Sequence, residues 1–235
     1  MSQQLAEKLA LPLYLSTSEI KEEHFFLSYR EERLVLLDKA QLKKGGLSVN
    51  INARPGEKRS YPAPRQNDLA KALGRKTKTI IDATTGWGQD ALFMFRMGYQ
   101  VQCFERSPMM AALLDDAFLR LEKLEWMQKL QLNSPKLTQG DAIKLLTTLD
   151  NAPDCIYLDP MFPPKRKKSA LAKKSMQLLH TLLGQDEDKD KLFVAAMAAT
   201  AKRVVIKSPD YAEPLGGKPT ESFKGKLLRY DVYLK

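Results

Sequence analysis

The sequence predicts an α/β fold with a mostly parallel sheet, helices on both faces of the sheet and a small β-rich region before it. From residue 79 onward, short apolar segments alternate with segments whose apolar residues recur at helical spacing. This β-α order requires crossover connections, which join parallel strands. The chain has 235 residues, 43% of them hydrophobic and 28% charged, so it is long enough to bury a core and has the composition of a globular protein.

The first part of the chain has the pattern of short strands joined by turns. Apolar or alternating runs occur at residues 25–29, 34–37 and 47–51, the last after Gly45 and Gly46. Three prolines and several cations between residues 54 and 65 predict an exposed connector. We therefore expect a small N-terminal domain with a basic connector over residues 1–66 and a second domain over residues 67–235.

The second domain contains the alternating elements. Helices are expected at residues 68–73, 89–97, 108 to about 128, 142–149, 169–183 and 191–201, the first two ending at Gly74 and Gly98. Strands are expected at residues 79–82, 100–105, 137–139, 155–159, 203–207 and 227–234. Ligands of such sheets bind at the carboxyl ends of the strands.

The charge distribution favours an anionic partner such as nucleic acid. The net charge is +10, and the excess lies in two stretches. Residues 54–78 hold eight basic and two acidic residues, and residues 159–175 hold six basic and one acidic residue. The second stretch directly follows the most distinctive motif of the chain.

Several classes of protein are disfavoured. Cys103, Cys155, His24 and His180 lack metal-ligand spacing, so neither a metal site nor a disulfide framework is expected. We find no apolar stretch of membrane-spanning length and no export signal at the N-terminus, so we expect a cytoplasmic protein without a membrane partner. No obligate protein partner is evident.

Acidic residues stand at the ends of four successive predicted strands, namely Asp82, Glu105, Asp141 and Asp159. The first is followed by Gly86 and Gly88 in a tight turn that lacks the third glycine of the dinucleotide fingerprint. An adenosyl ligand without a pyrophosphate therefore fits better. Glu105 is placed to accept hydrogen bonds from ribose hydroxyls, and Asp141 from the adenine amine.

The segment after the fourth of these strands has the chemistry needed to methylate an amine. The carboxylate of Asp159 and the carbonyl of Pro160 can accept N–H groups of a conjugated amine, which favours a pyramidal nitrogen with a directed lone pair. Phe162 can stack on an extruded base. The basic residues that come after this loop are suited to bind the phosphates on either side of that base.

These residues resemble a known family. Asp82-x-x-x-Gly86-x-Gly88 and Asp159-Pro160-Met161-Phe162 resemble a class I S-adenosylmethionine-dependent methyltransferase with an amine-methylating loop. More narrowly, the sequence from about residue 34 to residue 235 is similar to the bacterial small-subunit ribosomal RNA guanine-N2 methyltransferases of the RsmJ family. The motifs with the closest similarity are Asp82-Ala83-Thr84, Glu105-Arg106, residues 111–116, residues 157–163 and Lys207-x-Pro209-Asp210-Tyr211-Ala212.

The resemblance implies a Rossmann-like class I core and S-adenosyl-L-methionine as cofactor, with S-adenosyl-L-homocysteine as product and no metal. It places cofactor contacts at Gln89, Asp90, Glu105, Arg106, Asp141, Ala142 and Asp159, besides the turn residues Asp82, Gly86 and Gly88. Gln89-Asp90 replaces Arg-Asp of relatives, and Asp141-Ala142 replaces a pair of serines.

The implied reaction is methylation of the exocyclic N2 of guanine 1516 in 16S ribosomal RNA, alone or in the small subunit. Asp159, Pro160 and Phe162 would act on the base. RNA contacts are expected from Lys165, Arg166, Lys167, Lys168, Arg59 and Arg65. Two alternatives stay open, namely methylation of another amine, in DNA adenine or a protein amide, and a non-catalytic role in RNA binding or ribosome assembly.

Overall fold

A computed structural model describes residues 2–14, 19, 25–38, 46–52, 61–162 and 188–235. The described helices are α1 (Ser2–Leu9), α2 (Asp68–Leu73), α3 (Gln89–Arg96), α4 (Pro108–Glu122), α5 (Glu125–Lys129), α6 (Ala142–Thr147) and α7 (Lys189–Ala199). The described strands are β1 (Phe25–Arg30), β2 (Arg33–Asp38), β3 (Thr79–Asp82), β4 (Gln100–Glu105), β5 (Lys136–Gln139), β6 (Cys155–Leu158), β7 (Arg203–Pro209), β8 (Glu221–Lys224) and β9 (Leu228–Leu234). The predicted helix at residues 169–183 lies outside the described residues.

The chain forms two compact units. One contains residues 1–52 together with residues 107–134, and the other contains residues 53–106 together with residues 135–235. The first unit therefore includes α4 and α5 from the middle of the chain. A division of the chain at residue 66 would place these two helices in the second domain. The division at residue 66 stays a prediction.

In the first unit, β1 and β2 form an antiparallel hairpin that packs against α4. The side chains of residues 34–37 in β2 are buried. Ser107 caps the N-terminus of α4, since its hydroxyl accepts a hydrogen bond from the backbone N–H of Met110 at 3.4 Å. The predicted strand at residues 47–51 is wrong: Leu47 pairs with Leu36 as an isolated bridge. The predicted single helix from residue 108 to 128 is also interrupted, because Leu124 has an extended backbone between α4 and α5.

The second unit is built on a seven-stranded sheet with the order β5-β4-β3-β6-β7-β9-β8. The first five strands in this order run parallel, whereas β9 runs antiparallel to β7 and β8 antiparallel to β9. This confirms the predicted mostly parallel sheet. Two described elements escaped prediction: α1 has no buried face, and β8 is a short polar strand at the sheet edge.

The sheet is packed on its faces by helices that bury alternate residues of the strands. In one core cluster, alternate strand residues that point to the same face of the sheet, such as Ile81, Ile156 and Val204, pack with Leu146 of α6 and Leu192 of α7. Helices α2 and α3, which contribute nothing to this cluster, contact the β7-β9-β8 side and β4 respectively. The carboxyl ends of the five parallel strands lie at one edge of the sheet.

Asp154 fastens the opposite, amino-end edge of the sheet. One oxygen of its carboxylate accepts the backbone N–H groups of Lys78 and Thr79 at 2.8 and 3.2 Å, and the other lies 2.6 Å from the ammonium nitrogen of Lys202. Lys78 precedes β3, Thr79 is the first residue of β3, and Lys202 precedes β7. This single carboxylate therefore fixes the starts of the three central strands, whose far ends hold the candidate site.

Candidate functional site

The carboxyl ends of β4, β3, β6 and β7 lie side by side in the sheet. Asp82 of β3 is in register with Tyr157 of β6, and Leu158 of β6 with Ile206 of β7. The next residues along β6 and β7 are Asp159 and Lys207. Parallel pairing thus brings to one edge residues that are separated by up to 125 positions along the chain.

The turn after β3 is built around Asp82. Its side chain is buried and accepts the backbone N–H of Thr84 at 3.1 Å, while the hydroxyl of Thr85 donates to the Asp82 carbonyl at 3.0 Å. Burial raises the pKa of Asp82 well above its usual range, because it disfavours the charged form of the carboxyl group. Gly86 and Gly88 have φ angles of +52° and +67°, a region where a Cβ is strained. Asp82 therefore supports the turn from below.

Glu105, at the end of β4, holds this turn from the side. Its carboxylate is buried and accepts the backbone N–H of Gly86 at 2.8 Å. The Glu105 carbonyl accepts the N–H of Gly140 at 2.9 Å, which joins β4 to the residues after β5. The structure thus brings the predicted residues Gly86, Glu105 and Asp141 into one contiguous stretch of the edge.

The residues after β5 begin α6. The exposed Asp141 caps this helix, since its carboxylate accepts the N–H of Ile143 at 3.0 Å, and Ala142 is the first helical residue. Arg106, next to Glu105, lies 3.7 Å from Asp188 in an exposed ion pair. Gln89 is partly exposed and begins α3 directly after the glycine turn.

Two ion pairs and a hydrogen bond link α3 to the carboxyl ends of β6 and β7. The ammonium nitrogen of Lys207 lies 2.7 Å from a carboxylate oxygen of Asp90 in α3 and 2.7 Å from one of Asp159. The hydroxyl of Tyr157 donates to the same Asp90 oxygen at 2.8 Å. Sequence reasoning missed Lys207 as a site residue, although a lysine that follows three buried apolar residues at a strand end is a usable signal.

The network determines the ionisation of its members. Burial alone would lower the pKa of Lys207, but the carboxylates of Asp159 and Asp90 outweigh burial and raise it. Burial, with Asp90 nearby, raises the pKa of Tyr157 well above its usual range. The lysine is therefore a permanent cation and the tyrosine a neutral donor at neutral pH.

The loop that begins at Asp159 is tied to the glycine turn. The backbone N–H of Asp159 donates to the hydroxyl of Thr84 at 2.6 Å, and Pro160 is buried. Phe162 is partly exposed, with the ammonium nitrogen of Lys189 5.2 Å from its ring centroid. The structure thus places the predicted Asp159, Pro160 and Phe162 beside the turn.

Of the predicted RNA-contacting residues, Arg65 alone lies within the part of the chain that the structure describes. Lys165, Arg166, Lys167, Lys168 and Arg59 lie outside the described residues. Arg65 donates to the carbonyl of Met97 at 2.9 Å, and its guanidinium lies 3.9 Å from the ring centroid of Tyr99. These partners precede β4, so Arg65 stands at the amino-end edge, and its contact with RNA stays a prediction.

The hydrogen-bonding groups at this edge fit an adenosyl ligand that carries a cationic group. A carboxylate has lone pairs for several donors, so Glu105 can accept hydroxyl groups in addition to the Gly86 N–H. The left-handed glycines let a ligand approach the backbone. Asp90, Glu105 and Asp159 bring three carboxyl groups to this edge, and the ammonium of Lys207 contacts two of them. Within the part of the chain that the structure describes, no cluster of three or more potential metal ligands occurs, and no helix is long and apolar enough to cross a membrane.

Comparison with known proteins identifies the family. The family model described as "Putative SAM-dependent methyltransferase" matches residues 5–235. Ribosomal RNA small subunit methyltransferase J of Shewanella amazonensis is 39% identical over 220 residues, which cover 90% of this chain and 87% of that protein. The namesake protein of Proteus mirabilis is 42% identical over 200 residues, 81% of this chain and 79% of its own.

A solved structure agrees with this result. The crystal structure of a SAM-dependent methyltransferase from Neisseria gonorrhoeae matches with a TM-score of 0.74 and 27% identity over 99% of this chain and 90% of that one. The expected Rossmann-like class I core and S-adenosylmethionine as cofactor are therefore confirmed. The chain belongs to the ribosomal RNA small subunit methyltransferase J family of S-adenosylmethionine-dependent methyltransferases.

Proposed function

We propose that this protein methylates 16S ribosomal RNA in the small subunit, at the exocyclic N2 of a guanine, which by resemblance is guanine 1516. The observation that carries the proposal is the position of Asp159. Asp159 is the first residue of the Asp-Pro-Met-Phe loop at the carboxyl end of β6. Its carboxylate lies 2.7 Å from the Lys207 ammonium nitrogen, and its backbone N–H donates to the Thr84 hydroxyl. The names of the relatives support ribosomal RNA as the substrate.

The loop addresses the central difficulty of the reaction. The lone pair of guanine N2 is delocalised into the ring, so the amine is a poor nucleophile. N–H groups that donate to the Asp159 carboxylate and the Pro160 carbonyl favour a pyramidal nitrogen whose lone pair is directed away from them. An ionised Asp159 also stabilises the positive charge that develops on this nitrogen during transfer.

The neighbouring residues would hold the cofactor. When bound, S-adenosylmethionine supplies a methyl group on a cationic sulfonium. Glu105 and Arg106 are proposed for the ribose edge, Gln89 and Asp90 for the methionine end or the ribose, and Asp141 and Ala142 for the adenine. The carboxylates of Asp90, Glu105 and Asp159 at this edge favour a cationic ligand.

The basic residues would bind the RNA backbone. Lys165, Arg166, Lys167 and Lys168 follow the target loop directly, where phosphates that flank an extruded base are expected. Arg59, Arg65 and the N-terminal domain are proposed as a further docking surface. Neither Cys103 nor Cys155 belongs to the loop, and both are buried, so transfer is direct without a covalent enzyme intermediate.

The test is transfer of a labelled methyl group to small subunits from cells that lack this protein, followed by mapping of the modified nucleotide. We expect label on guanine N2 with the wild-type protein and with Asp150→Ala, an exposed aspartate as the matched control, and none with Asp159→Ala. Circular dichroism and cofactor affinity show whether each variant is folded and loaded.

Each other result points elsewhere. Label on DNA adenine or on a protein amide, with none on the subunit, would support a different amine as substrate. Binding of subunits and cofactor without any transfer would favour a non-catalytic assembly factor. Full transfer by a folded Asp159→Ala variant would refute the role of the loop.

A further inference from the structure

The two carboxylates nearest to the target loop share one cation. Both contact the ammonium nitrogen of Lys207 at 2.7 Å, so the carboxylate oxygens of Asp90 and Asp159 lie close to each other. The Lys207 side chain is 24% exposed and that of Asp90 is 11% exposed, so water screens this cluster weakly. The side chain of Asp159 is 38% exposed, which leaves this member of the cluster accessible to a substrate.

The cluster is anchored on the side away from solvent. Tyr157 is fully buried, and its hydroxyl donates to the Asp90 oxygen that Lys207 also contacts. Asp90 is thereby held by two donors from two different strands. This anchors the ammonium group, which in turn restrains the Asp159 carboxylate at the exposed end.

We infer that Lys207 is a positioning residue for methyl transfer: its ammonium group keeps the Asp159 carboxylate ionised and in one orientation toward the target amine, and Asp90 holds the ammonium in place. The inference rests on the proposed function, since Asp159 is assigned there to the amine. Without the cation, two adjacent carboxylates repel each other and one of them takes up a proton. A protonated Asp159 no longer accepts an N–H group with full strength.

Among the described residues, four groups act on the charge of Asp159, namely Asp82 from β3, Asp90 from α3, Tyr157 from β6 and Lys207 from β7. Burial raises the pKa of Asp82 and that of Tyr157, which disfavours a negative charge on either group. Asp90, which shares the Lys207 ammonium with Asp159, is therefore the carboxylate that repels it, and Lys207 is the compensating cation.

The first experiment compares Lys207→Met with Lys207→Arg and with Lys202→Met. Lys202 precedes the same strand and is paired with Asp154 at the opposite edge, so its variant removes a single, more exposed ion pair far from the site. At neutral pH we expect Lys207→Met to lower kcat roughly 100-fold, the usual effect of a displaced catalytic group, with a smaller change in KM for the cofactor. Its transfer rate should rise with pH where the wild-type rate is flat.

The two other variants separate charge from structure. Lys207→Arg keeps the charge and should keep the flat pH profile, and Lys202→Met should behave as wild type. If Lys207→Met fails to fold, Lys207→Gln, which retains a neutral donor, takes its place. Full activity of the uncharged variant, or a loss that is equal at every pH, would overturn the inference.

A second measurement needs neither RNA nor transfer. Carbon-13 NMR of labelled aspartate carboxyls follows the titration of Asp159 in the full-length protein. We expect Lys207→Met to move this titration to higher pH, and Asp90→Asn combined with Lys207→Met to move it back. An unchanged titration in Lys207→Met would overturn the inference. If Lys207→Met shifts this titration but the wild-type protein transfers no methyl group to subunits, the proposed function is refuted while the effect of Lys207 on the Asp159 carboxylate stands.

Discussion

Asp154→Asn is expected to lower stability in a way that depends on pH. The variant keeps one oxygen for the backbone N–H groups of Lys78 and Thr79 but loses the ion pair with Lys202. Lys202, with the two backbone donors, lowers the pKa of Asp154 from 3.8 to about 2. By linkage this difference corresponds to about 2.4 kcal/mol, and because the Lys202 side chain is 47% exposed, screening reduces the expected value to about 1 to 1.5 kcal/mol.

The pH dependence of stability follows from the lower pKa of Asp154 in the folded protein. A carboxyl whose pKa is lower in the folded state stabilises the protein above its unfolded value, and this stabilisation is lost as pH falls through the folded value. Urea unfolding at several pH values should therefore show the full difference between wild type and Asp154→Asn at pH 7. The difference should shrink as pH falls from about 4 to about 2.

Asp150→Asn is the matched control, since Asp150 is exposed and precedes the same strand. This control should unfold like the wild type at every pH. An equal difference between wild type and Asp154→Asn at pH 7 and at pH 2.5, or none at pH 7, would refute the assignment of the stabilisation to the ionised carboxylate.

Three further predictions concern the turn, the β7 end and the RNA. Because burial raises the pKa of Asp82, its contribution to stability declines as pH rises above the unfolded value, so Asp82→Asn should unfold at least as late as wild type in urea at pH 8. Arg229→Met removes the donor to the carbonyls of Pro209, Asp210 and Ala212 and leaves Asp231 buried without its cation. This change should lower the free energy of unfolding in urea by about 3–5 kcal/mol, and a loss below about 1 kcal/mol would contradict the prediction. Replacing residues 165–168 by alanine should weaken RNA binding and lower the slope of log affinity against log salt by up to about 4; an unchanged slope would exclude phosphate contacts there.

Much of the fold followed from local patterns in the sequence. The α2 helix and the strands β3 and β4 have the bounds that apolar runs and flanking glycines predict. Errors arose where the local pattern is ambiguous. The apolar periodicity of residues 108–128 continues across the break at Leu124, and the alternation of residues 47–51 occurs without strand pairing beyond Leu47. Pairing depends on a partner that the local sequence does not specify.

The candidate site divides in the same way. The shared position of Asp82, Glu105, Asp141 and Asp159 was predictable, because each stands at or just after the end of a strand and such ends share one edge of a parallel sheet. Their roles toward a ligand stay predictions. The similarity of the loop that begins at Asp159 to amine-methylating loops, and the concentration of positive charge after it, were also readable from residue order alone.

Only the tertiary structure decided which of these groups act on one another. Lys207 is 48 positions from Asp159 and 117 from Asp90, yet strand order and register bring its ammonium to 2.7 Å from both carboxylates. Tertiary structure likewise directs Arg65 to the opposite edge and buries Asp82 beneath the turn. Strand ends follow from local hydrophobicity, whereas ion pairing and burial depend on distances across the sheet, which arise only when the strands assemble.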